Sequence, residues 1–419
     1  MSSAYANALA GLNANAQAIN IVSSNLANLS TSGYKNQQVS FEDLVNESLS
    51  GFSNSGTISG STIAQSNQQF TQGTLQTTGN PFDAAVQGGG FFVVRAIAGQ
   101  DLFTRQGNFH VDASGHLVTA TGQFVQGWNA SKGTLTTNGA TSDIVLPTNL
   151  VLPPSASTQF TASANLNANA TVGSANGTFS SPIQVYDSQG TPHTLTLTYT
   201  LTAPNTWSYA VTIPSTDLKA GAGATTKLTS GSLLFDGAGH LTTPAASAGP
   251  IAVSVTGLAS GANDLNLNWN LYDATGVPSL TQYNQASANI ATSQDGVAPG
   301  ELNSLSIGEN GDIIAKFSNG TSQNVAQIAL ASVLNPDSMQ QLDGNNFAPT
   351  SLTANPVIGT PSTGARGQIS GGTLETSTVD IATEFTNLLQ YERGYQANSK
   401  VISTEDQVIQ QTISLIGNG

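Results

Sequence analysis

The two ends of the chain carry apolar side chains at intervals of seven residues, and this spacing limits what those ends can fold into. Near the N-terminus the repeat runs through Tyr5, Leu12, Ile19 and Leu26, with Val22 and Leu29 at companion positions. Near the C-terminus it runs through Ile381, Leu388, Tyr395, Ile402, Ile409 and Ile416, and Phe385 belongs to the same predicted surface. A sustained heptad repeat is typical of a helix that packs along its length against another helix. We therefore predict two terminal α-helices whose apolar residues form an assembly interface.

The alternative is that both ends are ordinary amphipathic helices lying on a central domain. The C-terminal pattern covers nearly 40 residues, and a helix of that length spans about 60 Å at 1.5 Å per residue. Such a helix overshoots a globular core, which favours pairing with the other terminus and with other chains. Ser377 and Asp380 resemble a capping signal at its start, and Ser32 and Gly33 suit the end of the N-terminal helix.

The first 34 residues contain no charged side chain, and Lys35 is the first. A secretory signal needs a cationic start and an apolar run of about 7–15 residues, whereas the longest run here is residues 8–10. Nor does any segment supply the roughly 20 predominantly apolar residues of a membrane span. We expect neither a cleaved signal nor membrane insertion, so export would use a route that cleaves nothing.

Between the ends the pattern changes to short β-type runs, such as 91–94 and 195–199, separated by Gly, Asn, Asp and Ser. The fold class is therefore predicted as multidomain and mainly β, with a β-rich core, an inserted outer β domain and terminal helices. The predicted boundaries are 1–35 for the N-terminal helix, 36–75 for an extended linker, 76–145 plus 285–365 for the core, 146–284 for the insertion, 366–376 for a second linker and 377–419 for the C-terminal helix.

The composition excludes several kinds of chemistry. Charged residues make up only 8% of the 419 residues, and the net charge of −14 comes without any basic stripe, which argues against a nucleic-acid partner. The chain contains no Cys, so disulfides and thiol catalysis are excluded. No catalytic, cofactor or metal site is predicted. Trp207 and Trp269 could form an aromatic platform, but the core is the more common place for them.

Four D-x-x-G segments stand between strand-like runs, beginning at Asp112, Asp187, Asp236 and Asp273. No phosphate-binding G-x-x-x-x-G-K-[ST] motif accompanies them, so they do not indicate a nucleotide switch. Asp favours the first position of a type I turn and Gly a position with positive φ, so we interpret them as hairpin turns. The four histidines, His110, His116, His193 and His240, lack ligand spacing and are expected on the surface near turns.

Three segments together resemble the bacterial flagellar rod and hook axial proteins. SSNLANLSTSGYK (23–35) resembles the family's N-terminal signature through Asn25, Leu26, Ala27, Asn28, Gly33, Tyr34 and Lys35. It departs from that signature at Ser24 and Ser30, where small polar side chains replace Asn. LFTRQGNFHVDASGHLVTATGQFVQGW (102–128) and DIATEFTNLLQYERGYQANSKVISTEDQVIQQTISL (380–415) resemble its hairpin block and its C-terminal helix. The order along the chain is that of the family.

Within that family, the insertion at 146–284 and the segment 295–320 favour a hook subunit over the shorter rod subunits. The resemblance implies a homo-polymer, a flexible curved hollow tube that transmits motor torque, with terminal helices lining its inner core and β domains facing outward. It further implies rod, hook-cap and hook–filament junction proteins as partners, and delivery through the flagellar type III export apparatus to an extracellular location. Another axial subunit such as a distal rod protein, and a secreted β-rich adhesin or glycan-active protein, are the alternatives.

Overall fold

The computed structural model describes residues 3–45, 60–131, 133–221 and 223–416. Parts of the predicted helices and of the first linker, namely 1–2, 46–59 and 417–419, therefore lie outside the described residues. The chain divides into two compact units. Unit 1 comprises Met1–Thr148, Ser304–Ala315 and Ser322–Gly419, and unit 2 comprises Asn149–Asn303 and Lys316–Thr321. The predicted class, mainly β with helices at both ends, is confirmed.

The helices are α1 (Ser3–Ala27) and α2 (Ile381–Ile416). The strands before the insertion are β1 (Gln37–Val45), β2 (Gly60–Gln68), β3 (Leu75–Thr77), β4 (Ala84–Gln87), β5 (Phe91–Arg95), β6 (Asp101–Thr104), β7 (Phe109–Val111), β8 (Leu117–Thr119), β9 (Phe124–Asn129) and β10 (Ser142–Asp143). Those that follow are β11 (Val151–Leu152), β12 (Gln159–Asn165), β13 (Thr178–Tyr186), β14 (Pro192–Ala203), β15 (Thr206–Pro214), β16 (Thr225–Phe235), β17 (Leu241–Thr243), β18 (Ile251–Val255), β19 (Leu265–Trp269), β20 (Leu280–Thr281) and β21 (Ala288–Gln294). The remainder are β22 (Gly300–Ile307), β23 (Asp312–Phe317), β24 (Ser322–Ile328), β25 (Leu330–Ser332), β26 (Gln340–Leu342), β27 (Asn346–Ala348), β28 (Val357–Gly359), β29 (Gln368–Gly371) and β30 (Thr373–Glu375). Short 3₁₀ turns occupy Ala175–Gly177, Ser215–Asp217, Ala246–Ala248, Glu309–Gly311 and Pro336–Ser338.

Local chemistry sets the helix ends. Asp380 caps α2, because its Oδ1 accepts a hydrogen bond from the Thr383 backbone N–H at 2.7 Å. The helix thus begins at Ile381 rather than at the predicted Ser377. Helix α1 ends at Ala27 and is followed by turns up to Gly33, whose φ of +68° is the left-handed conformation predicted for it.

The β core of unit 1 is built around strand β5. This strand pairs with β6, β9 and β25, and β27 adds to β6 on the far side. Phe91 and Val93 on β5 pack with Phe103 and Phe347 in one buried apolar cluster. The rings of Phe91 and Phe347 meet edge to face, with centroids 6.0 Å apart.

Both predicted linkers contain paired strands. Within 36–75, β1 and β2 form an antiparallel hairpin with nine residue pairs, from Gln37 opposite Gln68 to Val45 opposite Gly60. Within 366–376, β29 pairs with β4 and β30 pairs with β3. The prediction of linkers with few regular features is wrong here. β1 and β2 pair with each other, and β29 and β30 pair with strands about 300 residues away, which local sequence does not show.

Unit 2 buries its core between two sheets. One is the meander β13–β14–β15–β16–β17, and the other contains β18, β19, β12 and β20, with β21 on the outer side of β12. Alternate residues of β14 and β15 point inward, as expected for half-buried strands. Trp207 and Trp269 are both fully buried in this core, which confirms their predicted place. The unit extends past the predicted 284 because β21 pairs with β12.

The four D-x-x-G segments are hairpin turns, as predicted. At Asp112 the carboxylate Oδ1 accepts hydrogen bonds from the backbone N–H groups of Ser114 and His116, both at 2.8 Å. Asp187, Asp236 and Asp273 repeat this arrangement with the residues two and four positions further on. The turn glycines, Gly115, Gly190, Gly239 and Gly276, have φ of 88°, 82°, 82° and 83°.

One histidine departs from the expectation of a surface position. His193 is buried, with Nδ1 3.0 Å from Asp217 Oδ2 and Nε2 3.2 Å from Asp187 Oδ2. It occupies an inward position of β14, in alternation with Leu195 and Leu197. That alternation is the sequence signal that would have placed the ring inside.

The carboxylate of Asp187 makes the stability of unit 2 depend on pH. Burial alone would raise its pKa, but hydrogen bonds from the Thr191 backbone, the Ser260 hydroxyl and the His193 ring outweigh burial and lower the pKa to about 2. Because the folded-state pKa lies below the ordinary value of 3.8, this stabilisation is present above pH 3.8 and is lost as the pH falls through about 2. It amounts to roughly 2 kcal/mol, at about 1.4 kcal/mol per pKa unit.

Asp187→Asn should therefore lower the free energy of unfolding of unit 2 at pH 7 by roughly 2 kcal/mol and flatten its decline between pH 4 and pH 2. Trp fluorescence during urea unfolding measures this in a Trp128→Phe background, where Trp207 and Trp269 report on unit 2 alone. Asp273→Asn, in the equivalent exposed turn, is the matched control and should have a smaller effect. Equal losses in both variants would contradict the special role of Asp187.

Candidate assembly surface

Helices α1 and α2 pack side by side and run in opposite directions. Asn25 Nδ2 donates a hydrogen bond to Glu384 Oε2 at 3.2 Å near one end of the pair. Further along, a Cβ added to Gly394 would lie 2.5 Å from Asn15 Oδ1, and one added to Gly11 would lie 2.7 Å from Asn398 Nδ2. Residues with lower numbers on α1 thus lie opposite residues with higher numbers on α2, so the helices are antiparallel. The two reciprocal Asn–Gly contacts set how closely the helices approach.

The contact face of α1 consists of small side chains. Ala8, Ala14, Ala18 and Val22 are buried on it, as is Asn25. Together with Gly11, which contacts Asn398, they are spaced three or four residues apart, as on one helix face. Small residues let two helix backbones approach closely, so the seam forms without using the larger apolar residues.

The larger predicted interface residues flank this seam. On α1, Val22 lies in the seam, and Tyr5, Leu12, Ile19, Leu26 and Leu29 are half-buried. On α2, Leu388 and Ile402 are half-buried, whereas Ile381, Phe385, Tyr395 and Ile409 are 48, 51, 39 and 44% exposed. The Ile416 side chain lies outside the described part. Within one subunit the structure therefore brings together the small residues and leaves much of the apolar stripe open.

The last part of α2 extends past α1. In the register given by the Asn–Gly contacts, Ser3 lies opposite Asp406, so residues 407–416 have no counterpart in the described part of α1. Val408 and Ile413 in this extension are exposed. At 1.5 Å per residue the extension is about 15 Å long.

A buried ionic cluster joins the end of the N-terminal segment to the β core. Lys35 Nζ lies 2.8 Å from Glu375 Oε1 and donates a hydrogen bond to the Thr71 carbonyl at 2.6 Å. Arg105 Nη1 lies 3.4 Å from Glu375 Oε2. Burial lowers the pKa of Lys35, and the charge of Glu375 opposes that shift. We call Lys35, Arg105 and Glu375 the ionic cluster.

Asn25 is the second buried junction of this region. Its Nδ2 donates to the Gln37 carbonyl at 2.8 Å as well as to Glu384, and its Oδ1 accepts hydrogen bonds from the Tyr34 hydroxyl and the Gln37 N–H. Burial raises the pKa of Tyr34. One amide therefore ties together α1, β1 and the first turn of α2.

The remaining residues of the family signature have a structural explanation as well. Gly33 has positive φ, and a Cβ there would lie 2.6 Å from the backbone carbonyl of Arg105, so only Gly fits. Leu26 and Asn28 are half-buried, and Ala27 is exposed at the end of α1. The partners Arg105, Glu375 and Glu384 were missed from sequence. The signal was Lys35 itself, an isolated charge within a long uncharged stretch that needs a carboxylate if it is buried.

The described residues offer no clustered chemistry beyond these junctions. Among them, no group of three or more His, Asp or Glu side chains is placed to hold a metal ion. Neither described helix combines the length and apolar character needed to cross a membrane. The notable features of this region are thus a fixed antiparallel helix pair and apolar side chains on its outer faces.

Family models place both ends of the chain among flagellar axial proteins. Residues 6–35 match the flagella basal body rod protein family, and residues 370–415 match the C-terminal family of flagellar basal body rod FlgEFG proteins. Residues 85–180 match the flagellar hook protein FlgE/F/G D1 domain, and residues 165–297 match the flagellar basal body protein FlaE D2 domain. The class defined by these matches is a rod or hook protein of the bacterial flagellum.

Comparison with whole proteins narrows the class. The chain is 30% identical to the flagellar hook protein FlgE of Salmonella typhimurium, over 98% of this chain and 99% of that protein. It is 32% identical to FlgE of Rhizobium meliloti, with 97% of each covered. The crystal structure of Helicobacter pylori flagellar hook protein FlgE2 shares the fold, with a TM-score of 0.53 at 17% identity, covering 72% of this chain and all of that one. The chain belongs to the FlgE family of flagellar hook proteins, and the predicted resemblance is confirmed.

This membership makes the chain a structural subunit of the flagellar hook. The alternatives of a rod subunit and of a secreted adhesin or glycan-active protein are not favoured, since hook proteins match it along nearly its whole length. Its family is one of flagellar structural proteins.

Removing one member of the ionic cluster should destabilise unit 1. Lys35→Met leaves Glu375 buried with only the more distant Arg105, and breaking a buried pair costs about 3–5 kcal/mol. Urea unfolding should show that loss, near the lower end because Arg105 remains. The control is Arg95→Met, which removes the partly exposed pairs with Asp101 and Asp143 and should cost at most about 1 kcal/mol. Equal unfolding midpoints for the two variants would contradict a stabilising role for the cluster.

The helix register can be tested directly because the chain contains no Cys. Asn15→Cys with Gly394→Cys should form a disulfide within one chain on mild oxidation, since the two positions are in contact. Asn15→Cys with Asn387→Cys, one heptad away, should not. Non-reducing electrophoresis and peptide mapping of the monomer distinguish the two. A bridge in the second pair and not in the first would show that the register is wrong.

Proposed function

We propose that the chain polymerises with copies of itself into a flexible, curved, hollow tube that carries motor torque from rod to filament. The observation that supports this most is that the contact between the two terminal helices and the exposed surface of the helices are made of different side chains. The seam within one subunit uses small residues, and four large apolar residues of the α2 stripe are exposed on its outer face, namely Ile381, Phe385, Tyr395 and Ile409. That face is the proposed contact with neighbouring subunits.

The size of the open surface supports the same proposal. The exposed residues of α2 include Phe385, Leu389, Ile409 and Ile413, at 44 to 63% exposure. Fully burying a side chain of this kind contributes about 1.5–3 kcal/mol. Several such residues per subunit, buried against neighbours, would supply a strong driving force for association.

The absence of charge on α1 suits a packed position. Between Ser3 and Ala27 there is no Asp, Glu, Lys or Arg, so neighbours can surround the helix without burying an unpaired ion. Contacts in which a helix of one subunit packs against a different surface of the next are head-to-tail. They need not form a closed ring, so they can continue along a tube. We infer that α1 and α2 form its inner wall.

The low charge of the whole chain bears on bending. Charged residues are 8% of the sequence, so surfaces of adjacent subunits can slide past one another without breaking strong ion pairs. That property suits a joint that bends while it rotates.

Membership of the family supports the remaining parts of the proposal. The chain would contact rod proteins, the hook cap and the hook–filament junction proteins, and would be exported uncleaved by the flagellar type III apparatus. It would act outside the cell and without catalysis, cofactor, nucleic acid or membrane insertion.

Electron microscopy of two proteins tests the assignment of assembly to the ends. Full-length protein should form curved tubes, and the fragment 28–380 should remain monomeric. This fragment keeps Lys35, Arg105 and Glu375 together, and it removes Asn25 and Glu384 as a pair, so its β core retains balanced charges. A matching thermal transition of the core is the folding control. Tubes formed by the fragment would contradict the role of the helices, and straight tubes from the full chain would favour a rod subunit.

A further inference from the structure

We propose that unit 1 carries a second contact between subunits, separate from the helices, in which an apolar patch on one copy receives an apolar turn of the next. The patch consists of Leu334, Leu352 and Val357, which we call the apolar patch. The turn is the one that connects β5 to β6 and carries Ile97 at its tip. This inference rests on the proposed self-assembly and adds a specific surface to it.

The patch side chains point away from the core of unit 1. Val333 and Ile358 pack against the buried cluster around Phe91 and Phe347. Their chain neighbours Leu334 and Val357 face the other way and are 90 and 58% exposed, as alternation in an extended chain requires.

The segment that carries Leu352 is hydrogen-bonded to the residue that follows Leu334, so we assign Leu352 to the same patch. Asn335, next to Leu334, donates from Nδ2 to the Leu352 carbonyl at 2.8 Å and accepts at Oδ1 from the Ala354 N–H at 2.7 Å. Leu352 is 79% exposed. Three aliphatic side chains open to this degree expose on the order of a few hundred Å², comparable with the largest apolar patches of typical monomers, which are often functional.

The loops that carry the patch are held rigidly. Ser338 Oγ donates a hydrogen bond to Thr353 Oγ1 at 3.0 Å, and Thr350 Oγ1 donates to the Ser338 carbonyl at 2.9 Å. Thr353 Oγ1 also accepts the Thr350 N–H at 2.9 Å. A surface ordered in advance loses little conformational entropy on binding, which favours a contact role over a loop that is exposed by chance.

Ile97 has the properties expected of the complementary contact. It lies in a tight turn closed by hydrogen bonds from the Gly99 N–H to the Ala96 carbonyl and from the Ala96 N–H to the Gln100 carbonyl, both at 2.8 Å. Polar residues usually occupy such positions. Ile97 is 84% exposed, so an aliphatic side chain projects from a fixed turn.

The two features lie at opposite ends of one strand. Strand β5 runs from Phe91 to Arg95 and leads into the Ile97 turn, whereas Ala331 pairs with Phe91 and the chain continues from there toward Leu334. At about 3.3 Å per residue, roughly 20–30 Å separate them. Two surfaces at opposite ends of a rigid unit cannot contact each other within one chain, but each can contact a neighbouring copy. That is the head-to-tail arrangement of an open polymer, so the occupant is a second copy of this chain.

Polar substitution of the patch should weaken assembly and leave the fold intact. In full-length protein, Leu334→Asn with Leu352→Asn should raise the critical concentration for polymerisation at least tenfold in a sedimentation assay, with an unchanged thermal transition of the monomer. Val172→Asn, at another exposed aliphatic residue, in unit 2, should leave the critical concentration near the wild-type value. An unchanged critical concentration for the double variant would overturn the proposed role of the patch in assembly.

Engineered cysteines test the pairing itself. In the Cys-free chain, Ile97→Cys with Leu334→Cys should give an interchain ladder on non-reducing gels after oxidation of polymers, and neither single variant should do so. Normal polymers without a ladder would overturn the Ile97 contact, and dimers from Leu334→Cys alone would show a two-fold contact instead. Failure of wild-type protein to polymerise would overturn the proposed function together with this inference, and so differs from failure of the patch alone.

Discussion

The carboxylate of Glu375, buried between two cations, is the interaction on which the arrangement of unit 1 depends. Lys35 reaches it from the end of the N-terminal segment and Arg105 from the β core. The Gly73 N–H donates to the same carboxylate at 2.7 Å, and the Gly33 N–H donates to the Glu375 carbonyl at 2.8 Å. A buried charge that loses its partner is strongly unfavourable, so both ends of the chain must enter the core at one place.

Because the chain ends are held there, the two helices have a fixed register and still leave apolar side chains exposed. Asn25 and Glu384 join the helices next to the cluster, and the contacts of Gly11 and Gly394 with asparagines continue the register outward. Because these contacts use small and polar groups, several large apolar side chains of α2 remain exposed within the subunit. A hook subunit needs this combination, since a helix pair that buried all its apolar surface internally would have little left to drive assembly.

Local patterns in the sequence predicted the parts whose structure is set by near neighbours. The heptads predicted helices, the D-x-x-G segments predicted turns, and the usual burial of Trp side chains predicted core positions for Trp207 and Trp269. Prediction failed where the partner was distant. The segment 366–376 is predicted as a linker, yet it holds β29 and β30, which are short and become strands only through their distant partners β4 and β3. His193 was placed outside because a nearby turn outweighed the alternation of β14.

The sequence by itself determined the family, the mainly β fold with two terminal helices, and the uncharged character of the N-terminal one. The fold class and the uncharged helix follow from periodicity and composition, which act over a few residues, and the family follows from the resemblance of the segments 23–35, 102–128 and 380–415. Tertiary structure alone decided which face of each helix pairs within the subunit and which carboxylate compensates Lys35. The heptad marked Leu12, Ile19 and Val22 as contacts; Val22 lies in the seam beside Ala18, whereas Leu12 and Ile19 flank it. The reason is geometric: close approach of two backbones selects the smallest side chains, and that selection exists only once both helices are in place.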